Sequence, residues 1–133
     1  MPWRVVYYKG ADGSVPAEEF LDDCPVGVEA KLEAVLSAVA GAPPPSFSGG
    51  GMWEAMHGSM GGYYEIRVTG PGREHFRLFC LLDREGPGLD EPAVVVLTGL
   101  RKRNATLFSE GDYARVRVLG DDYKASSPRR IAT

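Results

Sequence analysis

Cysteine is scarce in this chain: Cys24 and Cys80 are the only two in 133 residues, far apart and in unlike surroundings. Two isolated thiols make neither a disulfide framework nor a zinc-ligand set. Histidine is equally sparse, and neither His57 nor His75 has a serine or carboxylate at a spacing that suggests a catalytic triad. No apolar run approaches the roughly 20 residues needed to cross a bilayer. The opening Pro2-Trp3-Arg4-Val5-Val6 lacks signal-peptide architecture, so a cytoplasmic protein is expected. Nor is there an excess of positive charge: 15 Lys and Arg stand against 18 Asp and Glu, a net charge of −3. Many nucleic-acid-binding domains are basic overall, so any claim of nucleic-acid binding rests here on a local patch. The glycines at 49–51 are not followed by Gly-Lys-Ser/Thr, which excludes a phosphate-binding P-loop.

What is present is concentrated in residues 93–104, Ala-Val-Val-Val-Leu-Thr-Gly-Leu-Arg-Lys-Arg-Asn. An apolar, mostly β-branched run reads as a central strand over 93–100. It turns abruptly into three cations, and an unpaired cation is costly to bury. The pattern therefore predicts positive charge presented at the end of a core strand.

The rest of the chain reads as one domain over residues 1–123, with no internal repeat and a polar, disordered tail at 124–133. Residues 3–9 are β-branched and aromatic and predict a strand. Ser14 is placed to cap a short helix with Pro16 in its first turn and Phe20 and Leu21 as anchors. Val28, Leu32, Val35, Leu36 and Val39 recur at helical spacing within 27–40. Residues 41–51 predict a long loop. Met52, Met56 and Met60 fall four apart, as on one face of a short helical turn. Residues 63–69 and 74–82 predict a hairpin around Gly70-Pro71-Gly72, with Arg77 interrupting its second arm. A last helix is expected over 105–123, with Leu107, Tyr113, Val116, Leu119 and Tyr123 on one broad face. Gly111 and Gly120 weaken it by about 1 kcal/mol each.

This order of elements, with Tyr64-Glu65-Ile66-Arg67, Phe76-Arg77-Leu78-Phe79, Leu97-Thr98-Gly99-Leu100-Arg101-Lys102-Arg103 and the helix around Glu110, Ala114 and Arg117, resembles the RelE/ParE superfamily of bacterial toxins. The resemblance is closer to the phage-derived Gp49-like or HigB-type branch and covers residues 3–123. It departs at Thr98, where many relatives carry histidine, and at Lys102-Arg103, where two lysines are common. It implies an α+β, RelE-like fold: a small twisted, mainly antiparallel sheet of about four strands, two N-terminal helices packed on it, and a C-terminal helix near the active face. It also implies a type II toxin paired with a cognate antitoxin, expected to be of the helix-turn-helix type. Its activity would be metal-independent and cofactor-free endoribonuclease cleavage of ribosome-bound mRNA. The alternative it offers is a non-catalytic, ParE-like gyrase inhibitor or a phage-derived protein-binding module.

Metal-free RNA cleavage uses the 2′-OH as an internal nucleophile. It needs a proton acceptor, a proton donor and fixed positive charge about the phosphate. Arg67 and Arg77, on neighbouring arms of the expected hairpin, are assigned to the scissile phosphate, since planar guanidinium suits phosphate oxygens. Arg101 and Arg103 are assigned to the RNA backbone. Lys102 joins them there and is also a candidate proton donor. Glu65 is a candidate base, and Tyr123 a candidate for base stacking or proton transfer. Structural readings stand beside each of these. Arg67 and Arg77 can pair with Glu65 and Glu74 across the strands. The Arg101–Arg103 cluster can be a solvated strand end or an antitoxin-docking patch. Tyr123 can be a core-edge tyrosine, and Glu65 can orient an arginine.

Overall fold

The central strand β5 (Ala93–Arg103) runs three residues further than its apolar stretch. The computed structural model describes residues 2–42, 45, 51–103 and 108–133. Ahead of β5 come β1 (Arg4–Tyr8), α1 (Pro16–Asp23), α2 (Val26–Ala40), β2 (Trp53–Ala55), β3 (Tyr64–Thr69) and β4 (Glu74–Asp83). After it come α3 (Glu110–Ala125) and β6 (Ile131–Ala132). The sheet order is β2-β3-β4-β5-β1-β6. The β1–β5 pair is parallel and the others are antiparallel, so the architecture is α+β with a mixed sheet of six strands rather than about four.

Side chains alternate across a strand, and each face of this sheet has its own core. One face carries Ile66, Val68, Phe76, Leu78, Cys80, Val94 and Val96 beneath α1 and α2, whose Leu21, Val28, Leu32, Leu36 and Val39 close over them. The other carries Val6, Phe79, Leu81, Val95 and Leu97 beneath Val116 and Tyr123 of α3. Two glycines permit close packing. A Cβ on Gly99 would lie 2.1 Å from the Phe20 ring of α1, and one on Gly120 would lie 2.2 Å from the Tyr63 hydroxyl. Gly120 therefore weakens the helix locally in exchange for letting α3 approach the sheet.

Several expectations need correction. The tail beyond 124 is not disordered: β6 pairs Ile131 and Ala132 with Tyr8 and Tyr7. Arg129 contacts Asp83 at 3.2 Å, and Arg130 contacts Asp122 at 2.5 Å. The methionine spacing does not make a helical turn, because 53–55 form β2 and only 58–60 form a short 3-10 turn. Ser14 caps nothing in α1; its amide and hydroxyl both bond Asp12 in the preceding turn. The last helix begins at Glu110, capped by Ser109, and residues 104–107 lie outside the described residues. So do residues 43, 44 and 46–50 of the long loop.

Candidate functional site

The three cations at the end of β5 belong to the strand and pair with β4. Glu74 lies opposite Arg103, His75 opposite Lys102 and Phe76 opposite Arg101. A period of two then divides them between the two faces of the sheet. Arg101 and Arg103 fall on the α1–α2 side. There the Arg101 guanidinium bonds both oxygens of Glu74 at 2.5 and 2.9 Å and the Asp23 carbonyl at the end of α1 at 3.1 Å, and it lies 4.8 Å from the Phe76 ring centre. Arg103 reaches the same carboxylate at 3.9 Å. Hydrogen bonds donated by Arg101 hold the Glu74 carboxyl below the usual carboxylate range. This pair joins the strand end to a helix end and does not belong with the remaining cations.

Lys102 falls on the opposite face, with Arg77 and Arg67. Arg67 and Arg77 are directly paired across β3 and β4. Like charges in that relation repel unless something compensates. Glu65 and Glu54 supply the compensation. Arg67 is 3.8 Å from Glu65, bonds Glu54 of β2, and donates to the Gly51 carbonyl at 3.2 Å. Arg77 is buried, 6 % exposed, and donates to the Phe76 carbonyl at 3.2 Å. Burial pushes its pKa down, while the charge on Glu65 supports the cation. Burial pushes the Glu65 carboxyl above the usual range, and Arg77 and Arg67 pull it back. The expected pairing of Arg77 with Glu74 does not occur, because the two lie on opposite faces.

The start of α3 completes the group. Phe108-Ser109-Glu110-Gly111-Asp112-Tyr113 contains a capping box, in which the Ser109 hydroxyl accepts from the Asp112 amide at 3.1 Å and Asp112 accepts from the Ser109 amide at 2.9 Å. Phe108 precedes the cap and Tyr113 is the fourth helical residue, the two positions of a hydrophobic staple. Their ring centres are 6.5 Å apart. The staple carries the Phe108 ring over the cations and the Tyr113 ring onto the sheet beside them. Arg77 and Lys102 each lie 5.9 Å from the Phe108 ring centre, and Tyr113 meets Phe79 edge-on at 6.2 Å. Burial and the Glu65 charge raise the Tyr113 pKa.

Of the seven residues singled out from sequence, four therefore share one end of one face: Glu65, Arg67, Arg77 and Lys102. Arg101 and Arg103 lie on the other face. Tyr123 lies on the α3 face but at its far end, 1 % exposed, with its hydroxyl donating to Asp83 at 2.8 Å. Asp83 is six residues beyond Arg77, or about 20 Å along an extended strand. Tyr123 is thus a core-edge residue that anchors α3 to β4. Tyr113 and Phe108 were not assigned to the site in advance, although the capping box and staple spacing are written in the sequence.

Beside the cluster, an apolar cleft of about 370 Å³ runs between β5 and α3, lined by Thr98, Leu100, Arg115, Val116, Val118 and Leu119. Among the described residues, no three His, Cys, Asp or Glu side chains gather so as to hold a metal ion. No helix among them is long and apolar enough to cross a membrane. The arrangement offers fixed cations, a half-buried carboxyl and a phenol at the rim of a sheet, suited to an anionic group and to proton transfer beside it. Comparison with family models, with curated proteins and with solved structures found no match to this chain.

Proposed function

We propose that this protein is the toxin of a type II toxin-antitoxin system in the cytoplasm, a metal-independent endoribonuclease that cleaves ribosome-bound mRNA and is held in check by a helix-turn-helix antitoxin. The observation that carries the reading is the register pairing of Arg67 with Arg77, with Lys102 on the same face and the half-buried Glu65 beside them. Two guanidinium groups facing each other gain when a doubly coordinated phosphate stands between them. In this reading Arg67 and Arg77 hold the scissile phosphate and stabilise the charge that builds on it, while Lys102 holds the adjoining backbone. Glu65 takes the 2′-OH proton, for which an upward-shifted carboxyl is a better base than an ordinary one. Glu54, exposed on β2, is the side chain that gives way to substrate. RNA relies on the local cluster, since the chain as a whole is acidic.

A second reading, a non-catalytic gyrase inhibitor or protein-binding module, draws on the ion pairs that Glu54 and Glu65 already make with Arg67. Inducible expression without the partner, followed by mapping of RNA ends in the arrested cells, separates the two. New mRNA ends that vanish with Arg77→Ala support the ribonuclease. Intact mRNA together with DNA damage supports the inhibitor.

A further inference from the structure

We propose that Tyr113 is the general acid of this site, donating its phenolic proton to the departing 5′-oxygen while Glu65 accepts the proton of the 2′-OH. The inference rests on the ribonuclease reading above and adds a residue to it. Tyr113 reaches the site through the capping box and staple, which fix the first turn of α3 over the sheet. Its ring stands on Phe79, the residue paired with Glu65 across β3 and β4, and Phe79 is two positions from Arg77 on the same face. The charges of both Glu65 and Arg77 act on the Tyr113 phenol. Burial and the nearby Glu65 charge keep the phenol protonated at neutral pH, as a donor requires. Lys102, the other candidate donor, is turned toward the Phe108 ring.

The step balances. The 2′-oxygen loses its proton to the Glu65 carboxylate and bonds to phosphorus. The bond from phosphorus to the 5′-oxygen breaks, and that oxygen takes the Tyr113 proton. The products are a 2′,3′-cyclic phosphate and a 5′-hydroxyl, and Tyr113 regains a proton from water or from Glu65.

A leaving thiolate needs no such proton. The test is an mRNA carrying a 5′-sulfur in place of oxygen at the linkage that the wild type cuts in a translating extract. Tyr113→Phe is expected to slow cleavage of the ordinary linkage by about 100-fold, the low end of general-acid contributions. It is expected to slow the sulfur linkage by no more than about threefold, because that step bypasses the donor. Equal slowing of both linkages would make Tyr113 a structural residue, and no slowing of either would remove it from the reaction. Wild-type protein that cuts neither linkage would overturn the ribonuclease reading itself, and this inference with it.

Discussion

The two faces of the sheet at its β3–β4–β5 end use the same kinds of residue to opposite effect. On the α1–α2 face, Arg101 and Arg103 share the single carboxylate of Glu74, and Arg101 also caps the end of α1. Every contact there joins one element to another. On the α3 face, Arg67 and Arg77 are forced into register as like charges, one of them buried, beside the Glu65 carboxyl, whose own burial is unfavourable. Stability alone would not choose that arrangement, because a buried ionic group costs more in desolvation than a well-packed apolar one. Residues from three strands and a helix cap converge there. On the proposed reading, the difference separates charge that builds the fold from charge that serves a ligand.

Truncating the core under the first face gives the largest expected effect on stability. Phe76→Ala removes a fully buried ring between Arg101 and α1 and should cost about 3–5 kcal/mol, measured by urea unfolding. A cost under about 1 kcal/mol would mean that this face is not the structural one. Next is Tyr123→Phe, at the far end of the α3 face. Losing its bond to the Asp83 carboxylate should cost about 1.5 kcal/mol, and RNA cleavage should stay within about twofold of wild type. A large loss of cleavage without a loss of stability would return Tyr123 to the site.

Glu65 supplies a pH test of the comparison. Its folded pKa is raised, so folding takes up a proton in the window just above the ordinary carboxylate value. Stability should fall as pH rises through that window, and Glu65→Gln should flatten the slope. A steeper rise of stability with pH, read from denaturant midpoints between pH 4 and 7, would contradict the burial argument. Glu74, with its lowered pKa, has the opposite sign: its contribution is present above the ordinary carboxylate value and lost as pH falls below it. The smallest effect belongs to Arg101→Ala. Its guanidinium is exposed, so losing the ion pair with Glu74 should shift the urea midpoint least of these variants.

How much could be read from the sequence follows from the range over which each signal acts. Alternation in Tyr64–Thr69 and the apolar run after Ala93 gave the central strands, and helical spacing gave α2, because these signals are local and repeated. The split of Arg101-Lys102-Arg103 was missed because ending the strand at 100 was the cheaper assumption for three cations. Glu74, on the neighbouring strand, removes that cost. β6 is two residues long, too short for any pattern, and is held by partners at Asp83 and Asp122 that no local reading connects. Tyr113 was counted as one more residue of a helix face. The preceding Phe108 and the Ser109–Asp112 box give it a fixed place, and they were legible.

The central claim is that one face binds the scissile phosphate and the other does not. The measurement that tests it most directly compares two double variants in a translating extract, with mRNA ends mapped. Arg67→Ala with Arg77→Ala should reduce cleavage by about 1,000-fold. Arg101→Ala with Arg103→Ala should leave cleavage within about threefold of wild type, once a folded far-ultraviolet spectrum is verified for both. Full cleavage by the first pair, or equal loss from both, would contradict it.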